Sequence, residues 1–243
     1  MKHKSLKIGG IVVGALLALY LIVDFSLGGI VRAGVNRLGP RMTQTKVQLT
    51  LAHISPISGS GTLSGLFVGN PAGWTSDKAF YLGKIHVEVV PSSIFGDHII
   101  VNEMDIENPE FVYETKVVSS NIGDLLKNMT GAKKTTEATT KTGKPIKFEV
   151  RHFHLTGGQV TLGVGPAAIT LPMPPIDLTD LGTKEGGITS GELAVAIMRS
   201  MMSSVVKAST QAAGKIGSTM GAAAGSAVKQ GGSSLKGLFG GKN

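Results

Sequence analysis

Histidine and acidic residues recur at two-residue spacing in two segments of the chain. His152 and His154 are two apart, and Glu103, Asp105 and Glu107 repeat that spacing. Because alternate residues of a strand point to one face, each set predicts a row of polar side chains on a sheet. Two imidazoles can begin a zinc site, but no further ligand follows at local spacing. We therefore predict no metal site and interpret both rows as solvated strand faces, of which the acidic one discourages edge-to-edge association.

The sequence carries none of the short motifs that mark common catalytic sites. The glycine-rich run at residues 58–61 lacks the Gly-Lys-Ser/Thr ending of a phosphate-binding loop. Neither G-x-S-x-G nor H-E-x-x-H occurs. The chain has no cysteine, which excludes disulfides, thiolate metal ligands and a cysteine nucleophile. We predict a non-enzymatic protein with no catalytic residue and no cofactor.

The net charge of +8 is carried by the two ends of the chain. Residues 1–41 hold six basic residues against one acid, and residues 187–243 hold six against one, so each end has +5. Residues 42–186 hold twelve basic residues against fourteen acids, which leaves −2. A nucleic-acid-binding module carries its basic excess on the folded body, so nucleic acid is not expected as a partner. Basic ends favour anionic lipid head groups instead.

Residues 1–31 have the composition of a membrane anchor. Lys2, Lys4 and Lys7 precede an uncharged apolar run over residues 8–23. About sixteen helical residues cover roughly 24 Å, and a second apolar stretch after Asp24 would complete a membrane span. A cleaved signal peptide is the alternative, although no clear A-x-A cleavage site follows the run. The predicted anchor residues are Ile8, Val12, Leu16, Leu19, Tyr20 and Val23.

The basic residues that flank this anchor predict its orientation. Three lysines precede it and three arginines, Arg32, Arg37 and Arg41, follow it, so the positive-inside rule is nearly balanced. The lysines lie closer to the apolar run. We therefore predict a single-pass protein with its N-terminus in the cytoplasm and its body on the other side of the membrane.

Residues 32–186 show the two-residue periodicity of β-strands. Ile85, Val87 and Val89 alternate with polar residues, and the segment 146–150 repeats the pattern. This periodicity predicts a mainly β body, a twisted antiparallel sheet that is grooved or sandwich-like. Gly157-Gly158 predicts a two-residue hairpin connection. A short helix is expected at residues 121–129, followed by a polar loop at about 130–145.

Residues 187–213 predict an amphipathic helix. Thr189 and Glu192 fit a capping box, and apolar residues then recur at helical spacing. Three surfaces could receive the apolar face: the sheet, a membrane surface or another subunit. The face proposed to contact lipid or a partner consists of Leu193, Ile197, Met201 and Val205. Residues 214–243, rich in Gly, Ala, Ser and Lys, predict a flexible tail.

An ordered series of motifs resembles the N-terminal region of bacterial AsmA-like proteins. An anchor leads into GPRMTQTKVQL at residues 39–49, taken as a strand, and a glycine-rich hairpin follows at residues 59–69. The series continues with VGNPAG, LGKIHVEV, SSIFGDHIIV, IENPEFVYE and NIGDLLKN, the last of which ends at residue 128. The motif residues Gly61, Gly65, Asn70, Pro71 and Gly73 are expected to set strand ends and turns.

The resemblance implies a single-pass protein of the bacterial inner membrane with a β-rich periplasmic body. AsmA-like proteins are associated with outer-membrane biogenesis, and the larger ones look like grooved bridges for lipid. This chain is short, since about eight strands at about 4.8 Å span at most roughly 40 Å. The resemblance therefore favours a small module that handles membrane lipids or contacts other envelope proteins. The alternative is a scaffold without a lipid ligand.

Overall fold

The structure, a computed structural model, describes residues 26–131, 138–140 and 142–211. These residues form three α-helices and a sheet: α1 covers residues 26–43, α2 covers Asn121–Gly131 and α3 covers residues 190–211. The strands are β1 (Val47–Ile54), β2 (Ser60–Gly69), β3 (Lys78–Val89), β4 (His98–Glu107), β5 (Glu110–Tyr113), β6 (Lys147–Thr156), β7 (Gln159–Leu162), β8 (Ile169–Pro172), β9 (Ile176–Leu181) and β10 (Ile188–Thr189). The predicted mainly β class is confirmed. The predicted tail at residues 214–243 lies outside the described residues.

All ten strands belong to one twisted sheet. Strands separated by a short break lie in line, so the sheet has six rows in chain order. The rows are β1, β2, β3, β4 with β5, β6 with β7, and β8 with β9 and β10. Each row pairs with its neighbours in sequence, and α2 lies in the long connection between the fourth and fifth rows.

The fourth and fifth rows correct three predictions. β4 pairs with β6, and β5 with β7, in parallel, so the sheet is mixed and not purely antiparallel. A single sheet also excludes the sandwich-like alternative for the described residues. Gly157-Gly158 does not form a hairpin, because β6 and β7 continue in the same direction along one row. A two-residue glycine pair permits a kink as readily as a reversal, and local sequence does not distinguish the two.

One residue from each row lies on a line that crosses the whole sheet, here called the kink row. Counting along the strand registers aligns Thr50, Gly65, Gly83, Asn108, Gly157 and Pro174. Gly65, Asn108 and Gly157 have positive φ angles of 68°, 51° and 64°. Glycine and asparagine tolerate this left-handed conformation, which interrupts the alternation of side chains along a strand.

Buried residues change parity at the kink row in every row of the sheet. In β3 the buried positions are Phe80 and Leu82 before the kink, and Ile85 and Val87 after it. The pairing register between β2 and β3 is the same on both sides of the kink row. Because all rows shift together, one face of the sheet remains apolar along its whole length. We call this the covered face, and the opposite one the open face.

Helix α1 corrects the predicted start of the body. The segment 39–49 was expected to be a strand, but α1 continues through residue 43 and β1 begins only at Val47. Gln44, with a φ of 56°, ends the helix by donating its backbone N–H to the carbonyl of Pro40. The side chain of Asn36 then pairs with the backbone of Leu49, at 2.6 and 3.2 Å. This amide satisfies part of the outer edge of β1, which would otherwise be open for pairing.

Helices α2 and α3 confirm two predictions. α2 covers the segment expected to be helical, and two residues more. The predicted capping box of α3 is present: Glu192 N–H donates to Thr189 Oγ1 at 3.3 Å, and Thr189 N–H donates to Glu192 Oε2 at 2.9 Å. Between the helices, the bridge of Thr139 with Pro145 forms a turn in the described part of the polar loop. Residues 132–137 and 141 of that loop lie outside the described residues.

Candidate functional site

An apolar cavity of about 330 Å³ lies between the covered face and the helices α1 and α3. Its floor comes from the central rows on both sides of the kink row. Its walls come from the second half of α1 and the first half of α3, and Met129 of α2 closes it on one side. The floor includes Leu63, Leu66, Val68, Phe80, Leu82, Ile85, Met104, Ile106 and Phe153.

The two hydroxyl groups in the lining are already engaged by the protein. Thr43 Oγ1 donates to the carbonyl of Gly39 at 2.9 Å. Ser190 Oγ accepts the backbone N–H of Ala138 at 3.4 Å. Among the described residues that line the cavity, none is ionisable. The lining therefore offers a ligand apolar contact and few hydrogen-bond partners.

Methionine is unusually frequent in this lining. Five of the nine methionines of the chain line the cavity: Met42, Met104, Met129, Met198 and Met201. Methionine side chains are unbranched and flexible, so they adapt their shape to an apolar guest. The cavity volume lies near the lower end of the roughly 300–1,000 Å³ range of small-molecule sites. The arrangement suits one slender apolar group.

The predicted face of the C-terminal helix divides between this cavity and the core. Leu193 and Ile197 are half-buried and line the cavity, and the buried Met201 lies at its inner end. Val205 is fully buried in the core formed with the sheet and does not line the cavity. Of the three surfaces considered for this face, the structure places it against the sheet. The first half of α3 leaves space above the central rows, and Val206, Ser209 and Thr210 of its second half border the more open cavity described below.

The predicted turn residues occupy different places in the fold. Gly61 and Gly65 lie inside β2 and not at a turn. A Cβ atom at Gly61 would lie within 2.8 Å of the Ile54 side chain, so this glycine permits close strand packing. Pro71 and Gly73 lie in the turn between β2 and β3, where Gly73 has a φ of 90°.

Asn70 of this turn belongs to a buried polar network with Glu114 and Asn121. The Asn121 amide donates to Asn70 Oδ1 at 2.8 Å and to the carbonyl of Val112 at 2.7 Å. Glu114 accepts the backbone N–H groups of Thr75 and Ser76 and the Asn70 amide. Every carboxylate oxygen of Glu114 thus has a partner, which gives this group a structural role.

A second, more open cavity of about 650 Å³ borders this network. Lys116 Nζ lies 4.4 Å from the centre of the Trp74 ring and donates to the carbonyl of Gly73. The Trp74 indole N–H donates to Asp124 at 3.1 Å. These contacts pin the two side chains to the turn between β2 and β3. They account for the polar groups there without a ligand.

The histidine row and the acidic row predicted from the sequence both lie on the open face of the sheet. The ligand atoms of Glu103, Asp105 and His154 lie within 4.8 Å of one another. His154 Nδ1 also lies 2.6 Å from Asp177 Oδ1. This hydrogen bond raises the pKa of His154 above its ordinary value; partial burial opposes the rise, and the charges of Asp177, Asp105 and Glu103 add to it.

Sequence reasoning placed these rows on a polar strand face but missed Asp177. The residue lies 23 positions after His154, and only the pairing of β9 with β6 brings them together. His152 and His154 stack with parallel rings whose centres are 6.3 Å apart. Glu103, Asp105 and His154 are half-buried, and His154 forms an ion pair with Asp177. The absence of a metal site stays a prediction.

The predicted anchor residues Ile8, Val12, Leu16, Leu19, Tyr20 and Val23 lie outside the described residues. Within residues 26–131, 138–140 and 142–211, no helix has both the length and the apolar character needed to cross a membrane. Comparison of the chain with protein-family models, curated proteins and solved structures gives no match. The AsmA-like resemblance therefore rests on the sequence motifs.

Proposed function

We propose that this chain is a membrane-anchored, non-enzymatic, AsmA-like module that holds a lipid acyl chain in the cavity beneath α1 and α3. The observation that carries the proposal is the cavity itself, which is about 330 Å³ in volume and lined almost entirely by apolar side chains. Each buried methylene group contributes about 0.8 kcal/mol, so burial of about six would favour binding by roughly 5 kcal/mol. An acyl chain is an apolar group of suitable shape that membranes supply.

The absence of ionisable groups among the described lining residues supports a binding role over a catalytic one. Acid–base or nucleophilic catalysis needs a polar group within hydrogen-bond reach of the reacting atoms. The buried carboxylate of Glu114, outside this cavity, is saturated by hydrogen bonds to the turn at residues 70–77. We therefore propose that the protein retains or passes on lipid without changing it.

The proposed location in the cell rests on the N-terminal sequence. Residues 8–23 would span the bacterial inner membrane, with Lys2, Lys4 and Lys7 in the cytoplasm and the sheet in the periplasm. Because Gly28 of α1 packs against β1, the apolar stretch after Asp24 does not complete the span as predicted, and a helix of about 24 Å would require local thinning of the bilayer. There the module would support envelope and outer-membrane biogenesis by handling membrane lipids. The basic ends of the chain favour contact with anionic head groups.

A scaffold without lipid is the second candidate, and one observation favours it. The second half of α3 packs against the covered face, because Met201, Val205 and Ala208 are buried in the same core as the sheet. If the side chains around the cavity also close in solution, the helix would serve only to complete the fold. The protein would then act through its surface, by contacting other envelope proteins.

Native mass spectrometry of the detergent-extracted full chain, with identification of the extracted lipids, tests the proposal. An Ala194→Phe variant places a bulky ring in the cavity wall, and Ser203→Phe makes a matched change on the exposed side of α3. We expect phospholipid at defined stoichiometry on the unmodified chain and on Ser203→Phe, and its loss from Ala194→Phe. Retention no greater than that of an unrelated single-pass protein would favour the scaffold.

A further inference from the structure

Two neighbouring loops each direct a large apolar side chain into solvent. Ile57, in the loop between β1 and β2, is 75% exposed, and Phe95, between β3 and β4, is 71% exposed. The loops are in contact: Val89 N–H donates to the carbonyl of Gly59 at 2.9 Å. A Cβ atom at Gly59 would lie 3.2 Å from the Pro91 ring. The tips therefore occupy one end of the sheet, here called the near end.

The tips of the near-end loops are uncharged, and the exposed Asp97 follows at the end of the second loop. Residues 55–59 (SPISG) and 91–96 (PSSIFG) contain no ionisable side chain. Ser93 Oγ donates to the carbonyl of Val90 at 2.7 Å and accepts Ile100 N–H at 3.0 Å. These bonds fix the backbone while leaving Phe95 outside the core. Uncharged loop tips with apolar side chains are suited to the interface of a bilayer, and Asp97 lies on the side of the loop nearer the sheet, where it can stay in the aqueous head-group region.

The chain enters the described fold at the same end. A Cβ atom at Gly28 would lie 2.1 Å from the carbonyl oxygen of Ala52, so α1 touches β1 at this residue, two positions before the strand ends. Residues 24–28 separate the apolar run from this contact, and five residues span at most about 18 Å. A membrane that held residues 8–23 would thus lie beside the near end.

The part of α1 next to Gly28 adds an apolar and a basic side chain. Ile30 is 66% exposed and Arg32 is exposed. Exposed apolar and basic side chains on one segment are typical of surfaces that contact anionic lipid head groups.

We propose that Ile57 and Phe95 insert into the interface of the phospholipid bilayer that holds the N-terminal anchor, with Ile30 and Arg32 completing the contact. This inference rests on the anchor in the proposed function. Insertion at the near end would orient the sheet with its strands pointing away from the membrane. Since β3 runs from the near end to the opposite end, the two ends are about 36 Å apart. The far end, which carries the exposed Val117 and Val118, would then point away from the bilayer.

The absence of cysteine permits a direct test, because each single-cysteine variant has one labelling site. Ile57→Cys and Phe95→Cys place an environment-sensitive fluorophore at the near end, and Val117→Cys and Val118→Cys place it at the far end. The full chain is reconstituted into phosphatidylethanolamine–phosphatidylglycerol vesicles with and without brominated acyl chains. Matched circular dichroism spectra and thermal midpoints identify variants that retain the fold.

We expect near-end fluorescence to be about twofold lower in brominated vesicles and far-end fluorescence to be unchanged. Adding Phe95→Ser to the Ile57→Cys variant should weaken the quenching, since one of the two inserted side chains is lost. Vesicle flotation of the same samples reports on the anchor separately. Equal quenching at both ends, or none at either end of protein that floats with the vesicles, would overturn the inference and leave the anchor intact. Protein that fails to float would overturn both.

Discussion

The two faces of this sheet use the same strands for opposite purposes. The covered face carries apolar side chains that pack against three helices and line a partly open cavity. The open face carries rows of histidine and acidic residues, such as His86, Asp105, His154 and Asp177, aligned across four neighbouring strands. Because burial differs so strongly, we expect the covered face to determine stability and the open face to determine surface charge.

Adjacent residues of β6 provide the sharpest test of this difference. Phe153 is fully buried on the covered face, and His152 is exposed on the open face. Phe153→Ala should lower the free energy of unfolding by about 3–5 kcal/mol, because it removes apolar contacts and leaves a cavity. His152→Ala should change it by less than about 0.5 kcal/mol. Urea unfolding of both variants measures the contrast, and similar losses would show that the two faces are not energetically distinct.

On the covered face, the stability of the fold also depends on a buried polar residue, Asn121. Its side chain is fully buried and makes three hydrogen bonds, to Asn70, Val112 and Glu114. Asn121→Ala should cost about 2–4 kcal/mol, since it leaves several buried polar atoms unpaired. Asn128→Ala, on the same helix, removes one half-buried bond to Thr43 and should cost about 1 kcal/mol. Equal unfolding midpoints for the two variants would contradict a special role for the network.

The kink row keeps the two faces in phase, and Gly157 tests it. An added Cβ atom would meet Asn108 Oδ1 at 2.4 Å and would also disfavour the φ of 64°. Gly157→Ala should therefore destabilise the protein by about 2–3 kcal/mol. Gly163→Ala supplies the control, because its φ is 76° but no heavy atom lies within 4 Å of the new Cβ atom. Strain alone should cost about 1 kcal/mol there, and thermal unfolding compares the two.

Sequence periodicity predicted the β class, α2 and the capping box of α3, because these depend on neighbouring residues. It could not predict the kink row. A glycine or asparagine with positive φ shifts the alternation locally, but the alignment of Gly65, Asn108 and Gly157 depends on strand pairing across about ninety residues. The same limitation produced the incorrect hairpin at Gly157-Gly158.

The cavity was even less accessible to sequence reasoning. Its walls combine α1, which was expected to be partly strand, with the first half of α3 and the central rows. Leu193, Ile197 and Met201 were identified as one apolar helical face, yet the pattern could not determine which surface covers it. That information comes from tertiary packing, as does the pairing of Asp177 with His154.

The smallest expected effect concerns the open face and its response to pH. Since the hydrogen bond to Asp177 raises the pKa of His154, protonation of the histidine is favoured in the folded chain. The resulting stabilisation is fully present below the unfolded pKa of about 6.5 and is lost as pH rises through the folded pKa.

Asp177→Asn removes the charge and should move the His154 pKa back towards its ordinary value. NMR titration of the imidazole signals measures this shift, and Glu110→Gln, which affects the distant ion pair with Lys78, should leave it unchanged. An unaltered His154 titration in Asp177→Asn would mean that the pair does not form in solution, and the open face would then be a set of independently solvated charges.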